Sequence, residues 1–176
     1  MIKLGKWLPK LILIFLPLGL ISCSTTPIPT TYTVYLTHQF EKTQRANDSE
    51  LSLKGQKQAQ VFASLLDNKP ISAIYSTKDK PATASIKPLA ARLNLTIQEY
   101  ESSDASYLID RVTENQQDQV IVGHSHATPD LVRRLGGQSQ RIADYEYGIV
   151  FAVSITLLEG ERIATDTRKI WLLDSL

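Results

Sequence analysis

The chain has almost no cysteine, no excess of basic residues and no internal repeats. Cys23 is the single cysteine among 176 residues, which excludes an internal disulfide. The formal net charge is only +1, so nucleic acid is not expected as a partner. The longest apolar run, residues 11–21, is broken by Pro17 and Gly19 and is too short to span a bilayer comfortably.

The N-terminal segment has the pattern of a secretory signal peptide, because a lysine-bearing start precedes the apolar run. The run ends at Ser22-Cys23, which resembles the lipobox of bacterial lipoproteins, where cleavage leaves an acylated cysteine at the N-terminus. The resemblance implies a lipid anchor on Cys23 and hence a membrane partner, since two acyl chains already anchor a protein stably. Ser24 follows, and a residue other than Asp at this position resembles lipoproteins of the outer membrane that face the periplasm. The alternative is an ordinary cysteine of a signal peptide.

These features divide the chain into three parts. Residues 1–22 are interpreted as the signal peptide, and residues 23–31 as the lipidated cysteine with a polar, proline-bearing tether. Residues 32–176 are interpreted as one domain, because about 150 residues suffice for one hydrophobic core and are too few for two.

Strand and helix patterns alternate along this domain. Strands are predicted at residues 32–37, 71–75, 95–100 and 119–122. Helices are predicted at residues 52–66 with Ser52 as cap, and at 82–93, 106–115 and 129–135. Residues 150–158 and 162–172 are predicted to form a hairpin around Glu159-Gly160. The alternation predicts a three-layer α/β/α fold with a mostly parallel sheet and the hairpin at one sheet edge.

Ligands of open α/β sheets bind beyond the carboxyl ends of the strands, and the segments after Thr37, Tyr75 and Val122 carry a family resemblance. The relevant segments are Tyr-Leu-Thr-His-Gln-Phe-Glu-Lys at 35–42, Leu-Ser with Gly and Ala at 51–59, Ile-Tyr-Ser-Thr at 74–77, and Val-Gly-His-Ser at 122–125. Together they resemble the histidine phosphatase (phosphoglycerate mutase-like) superfamily over nearly the whole domain.

The resemblance implies that three of four pocket positions have changed. The first arginine of the family falls at His38, the nucleophilic histidine at Gln39 and the second arginine at Pro81, whereas the second histidine is retained as His124. The carboxylate that donates the leaving proton in the family corresponds best in position to Glu101, or to Asp104.

These changes remove phosphate chemistry in a consistent way. The Gln39 amide has no nucleophilic nitrogen lone pair and cannot carry a phosphoryl group. Neutral His38 cannot replace the charge-assisted bonds of an arginine to phosphate, and Pro81 lacks even a backbone donor. We therefore expect a noncatalytic envelope lipoprotein that needs no cofactor and uses the fold to bind a small anionic ligand or a protein partner.

Two alternatives remain open at this point. A one-residue slip of the first strand would bring His38 to the nucleophile position, giving a phosphatase for a phosphorylated small molecule or phosphohistidine. The slip would move Glu41 out of alignment with the glutamate of the family motif. It would also turn each side chain of the strand to the opposite face of the sheet. Alternatively, the three histidines of the chain, His38, His124 and His126, would converge as metal ligands, because imidazoles suit zinc or copper.

Overall fold

The computed structural model describes residues 26–43 and 50–172, which alternate strands with helices and end in a hairpin. The strands are β1 (Thr30–His38), β2 (Ala73–Thr77), β3 (Ile97–Tyr100), β4 (Gln119–Gly123), β5 (Ile149–Leu158) and β6 (Glu161–Trp171). The helices are α1 (Leu53–Leu66), α2 (Lys80–Leu93), α3 (Ala105–Asn115) and α4 (Thr128–Arg134).

The strands form one six-stranded sheet in the order β3-β2-β4-β1-β5-β6. Neighbours from β3 to β1 are parallel, and β5 and β6 are antiparallel additions at the β1 side. This mixed α/β sheet flanked by helices confirms the predicted fold class, including the hairpin that closes one sheet edge.

Both faces of the sheet are apolar because alternate residues of the central strands point to opposite sides. On one side, Tyr35 and Val122 pack with apolar residues of α1 and α2, among them Phe62 and Leu89. On the other side the core includes residues of β1, α3 and α4, namely Val34, Leu36, Leu108, Val112, Leu131 and Val132. Helices therefore cover the sheet on two sides, as an α/β/α arrangement requires.

Several boundaries differ from the sequence-based prediction by one or two residues. Strand β2 begins at Ala73 rather than at 71, because the Ile71 backbone N–H closes a turn by donating to the Lys69 carbonyl at 2.8 Å. Helix α2 begins at Lys80 rather than at 82, because Asp79 caps it and a proline fits the first helical turn without loss of a hydrogen bond. The shift brings Pro81 inside the helix.

The loop after β1 is held against the start of α1. Ser52 caps the helix by accepting a bond from the Gly55 N–H at 3.0 Å, and its hydroxyl donates to the Glu41 carboxylate at 2.8 Å. A side chain at position 55 would collide with the Glu41 backbone carbonyl, which explains the glycine there. This close packing fixes the chain that leaves β1 toward the cleft.

Candidate functional site

Gln39 and His124 directly follow the ends of two neighbouring parallel strands. The ladder between β1 and β4 runs to the pair His38–Gly123, and the Gln39 N–H donates to the Gly123 carbonyl at 3.1 Å. Both following side chains therefore leave the sheet at the same edge. The Gln39 amide oxygen is buried and has no hydrogen-bond partner within the described residues. An amide and an imidazole thus form the centre of the candidate site.

His38 lies in the interior rather than in the cleft. Its side chain is 0% exposed and stacks on Tyr147 with ring centroids 5.8 Å apart. Burial lowers the pKa of His38 from 6.5 to about 4, and the neighbouring backbone and carboxylate of Glu146 oppose this effect only in part. The imidazole is therefore neutral at pH 7 and contributes no cation to the site.

Asp79 brings a carboxylate to the same strand end. It follows β2 and accepts bonds from the Thr77 hydroxyl at 2.6 Å and from the Ala82 N–H at 3.0 Å, which caps α2. Its other role is electrostatic, since one carboxylate oxygen lies 3.8 Å from the His124 Nε2. Sequence reasoning missed Asp79, although an Asp directly before a Lys-Pro helix start is a typical capping signal.

Pro81 is buried in the first turn of α2. Its carbonyl accepts a bond from the Ser85 hydroxyl at 2.6 Å, and the Ser85 oxygen in turn accepts one from the Phe40 N–H at 2.8 Å. These two hydrogen bonds connect α2 to the segment that follows β1. The position supports the fold, but proline has no backbone N–H to offer an anion.

The two candidate proton donors lie in exposed positions. The Glu101 carboxylate forms an ion pair with the Lys78 ammonium at 2.6 Å, and Asp104 accepts a bond from the Ser103 hydroxyl at 3.2 Å. Glu101 and Asp104 therefore contact Lys78 and the loop that follows β3.

The three histidines do not assemble as ligands. The rings of His124 and His126 stack at 5.5 Å and are nearly parallel, whereas His38 contacts Tyr147. Among residues 26–43 and 50–172, no three His, Cys, Asp or Glu side chains form a group suited to a metal ion. The structure therefore does not bring the predicted histidine set together.

Two tyrosines that sequence reasoning missed shape the surroundings. The Tyr100 hydroxyl packs against Gly123. A Cβ atom at position 123 would lie 2.5 Å from the hydroxyl oxygen, so the turn before His124 needs glycine. Burial raises the pKa of Tyr100, which keeps the phenol neutral. Tyr147 covers His38 from the loop before β5. Neither tyrosine carries a local sequence signal, because each acts through residues distant in the chain.

Three carboxylates lie around this strand end, and two lysines, Lys78 and Lys80, flank the first of them in sequence. Asp79 lies beside His124, Asp144 accepts a bond from the Ser125 hydroxyl at 3.2 Å, and Glu146 lies close to His38. Because like charges repel, such surroundings oppose a dianionic phosphate.

The comparisons with known proteins point to one fold and one superfamily. Residues 36–102 match the model of the histidine phosphatase superfamily (branch 1). No curated protein matches the sequence. A solved structure titled as an α-ribazole-5′-phosphate phosphatase of Escherichia coli is similar with a TM-score of 0.60 and 14% identity, over 80% of this chain and 95% of that chain.

Two further solved structures agree. The protein histidine phosphatase SixA in complex with tungstate gives a TM-score of 0.57 at 16% identity, over 79% of this chain and 94% of that one. A mycobacterial glucosyl-3-phosphoglycerate phosphatase gives a TM-score of 0.57 at 13% identity, over 81% of this chain and 99% of that chain. At these identities the likeness is one of fold.

The fold of the chain is therefore that of these phosphatase structures, and residues 36–102 are similar to the histidine phosphatase superfamily. Of the predicted pocket positions, His38, Gln39, Pro81 and Glu101 lie within the segment that matches the family model, and His124 lies beyond it. Their family roles remain predictions from the aligned motifs.

Proposed function

We propose that the chain is an envelope lipoprotein whose histidine phosphatase domain does not hydrolyse phosphate and serves as a binding or interaction module. The observation that carries the proposal is that Gln39 and His124 directly follow two neighbouring strand ends, where the resemblance to the family implies a nucleophilic histidine at position 39.

The missing nucleophile is the first reason. Phosphoryl transfer through a histidine requires an imidazole nitrogen lone pair directed at phosphorus. The nitrogen of the Gln39 amide has its lone pair delocalised into the carbonyl and forms no phosphorylated intermediate. His38 does not substitute for it, since its ring is buried against Tyr147.

The electrostatics of the cleft are the second reason. Family pockets hold phosphate through two arginines, and each hydrogen bond to a charged group contributes roughly 1.5–3 kcal/mol. Here a neutral His38 and Pro81 stand at those positions, and the Asp79 carboxylate lies 3.8 Å from His124. Among the partners predicted from the sequence, these charges favour a protein over a small anionic ligand.

An active phosphatase is the second candidate, because the solved neighbours carry phosphatase names. Hydrolysis of p-nitrophenyl phosphate by the purified full chain distinguishes the two. We expect the chain to hydrolyse no p-nitrophenyl phosphate above the buffer blank, because covalent transfer has no nucleophile. For the same reason, His124→Ala and His38→Ala should give the same rate as the parent chain. Turnover that His38→Ala abolishes would establish the phosphatase and end the proposal.

The lipid anchor is proposed from residues 1–24, which precede the described part of the chain. Two observations are compatible with it. Residues 26–29 are exposed and lead into β1, and no described helix has the length and apolar character needed to cross a bilayer. We propose that acyl chains on Cys23 attach the domain to the outer membrane, on the periplasmic side.

Replacement of Cys23 tests the anchor directly. In a Gram-negative host, Cys23→Ala is expected to abolish incorporation of labelled palmitate, because the single cysteine of the sequence is lost. Ser24→Asp is expected to retain the label but to shift the chain to inner-membrane fractions of a density gradient. Ser22→Ala, which keeps a small residue before the cysteine, is the control. Labelling that persists in Cys23→Ala would contradict the anchor.

A further inference from the structure

Strand β6 forms a long, open edge of the sheet. It has eleven residues, whereas β3 at the opposite edge has four. Its inner side pairs with β5, and no strand of the described chain pairs with its outer side. Residues 164–171 of β6 pair regularly with β5. The single register shift between the two strands lies nearer the hairpin turn. An unpaired strand of this length is a template for another strand.

Apolar side chains are exposed at both ends of this edge. Ile163 is 54% exposed and Trp171 is 49% exposed. The register shift in the pairing with β5 lies at Ile163, whereas Thr165, Thr167 and Trp171 share one face of the regular part of the strand. The Lys169 ammonium, also on this face, lies 4.4 Å from the centre of the Trp171 ring.

The sequence of β6 is complementary to itself in one antiparallel register. When Thr167 is opposite Thr167 of a second copy, Asp166 is opposite Arg168, and Ala164 is opposite Ile170. Two-fold symmetry repeats each pair. Both charged residues are exposed and have no ion pair among the described residues. Opposite charges and apolar pairs directly across a ladder are the stabilising combinations.

The neighbouring registers are unfavourable. Centring the pair on Asp166 would set two carboxylates against each other, and centring it on Arg168 would set two guanidinium groups against each other. Like charges directly opposite destabilise a strand pair. Charged residues on an edge strand usually prevent pairing, but here they select one register and one partner.

We propose that β6 pairs antiparallel with β6 of a second copy of this chain, about a two-fold axis at Thr167. The two six-stranded sheets then become continuous. The partner is the chain itself, because Asp166 and Arg168 supply opposite charges on both sides of the two-fold axis.

Disulfide cross-linking tests the register. In Thr167→Cys the two cysteines would face each other with Cα atoms about 5 Å apart, which suits a disulfide. In Thr165→Cys, the matched control, the two cysteines would lie about 13 Å from each other along the strands. With the full chain in detergent, we expect a covalent dimer on a non-reducing gel for Thr167→Cys only. The parent chain, with Cys23 alone, gives the background. Equal cross-linking of both variants, or of neither, overturns the proposal.

Charge reversal tests the complementarity independently. Asp166→Arg and Arg168→Asp are each expected to weaken dimerisation by about tenfold or more in sedimentation of the detergent-solubilised full chain, since each change creates two like-charge pairs. The double variant should restore the parent association. Glu99→Arg, an exposed reversal on β3, should have no effect. A parent chain that stays monomeric, or a double variant no better than the single ones, overturns the proposal.

Discussion

Arginines at positions 38 and 81 are expected to make the cleft bind an oxyanion that the parent chain does not bind. In the variant His38→Arg with Pro81→Arg, the arginine side chains are long enough to carry their guanidinium groups from these buried positions to the strand end, where they would supply the charge-assisted bonds that phosphate sites use. At roughly 1.5–3 kcal/mol for each such bond, affinity for tungstate should rise about 100-fold or more. Titration calorimetry of the full chain with tungstate measures the gain.

Adding Gln39→His to that variant is expected to create turnover. The new imidazole would stand next to His124 at the end of β1, where it can attack phosphorus and carry the phosphoryl group. Hydrolysis of p-nitrophenyl phosphate should therefore appear in the triple variant and not in the double variant. The comparison separates binding from nucleophilic attack.

Asp79→Asn provides a further control within this series. Asparagine also caps helices, so α2 should be retained while the negative charge 3.8 Å from His124 is removed. We expect tungstate to bind more tightly to the double variant that carries this change. If folded variants with both arginines gain no tungstate affinity, the alignment of His38 and Pro81 with the arginines of the family is wrong.

The stability of the domain is expected to fall as the pH drops from about 6.5 to 4. The pKa of His38 is about 4 in the folded chain and near 6.5 when the chain is unfolded, so the unfolded state binds the proton first. The stabilisation is therefore complete above pH 6.5 and is lost toward pH 4. A difference of this size corresponds to about 3 kcal/mol in the free energy of unfolding.

Denaturant unfolding between pH 4 and 7.5 measures this effect. His38→Phe keeps a ring against Tyr147 but has no proton to bind, so its unfolding midpoint should depend much less on pH over this interval. His126→Gln, a change at an exposed histidine, is the control and should keep the parent dependence. An equally steep dependence in His38→Phe would show that the ring is not the group responsible.

Much of the fold follows from patterns that are local in the chain. The spacing of Ala59, Phe62 and Leu66 predicts α1, and Ser52 caps it as expected. The apolar strand before His124 and the hairpin around Glu159-Gly160 are likewise found where the sequence predicts them. Backbone preference and hydrophobic periodicity act over a few residues, which is why these elements are visible without coordinates.

The sequence by itself determined the order of the elements and the α/β class, because both depend on residue types at short spacing. The exchange of imidazole for amide at Gln39 remains a prediction from the aligned motifs. Only the tertiary structure decided that Asp79 lies beside His124, that His38 is buried under Tyr147 and that the three histidines stay apart. Those contacts join segments far apart in the chain, and they depend on strand register and loop packing, which no local pattern encodes.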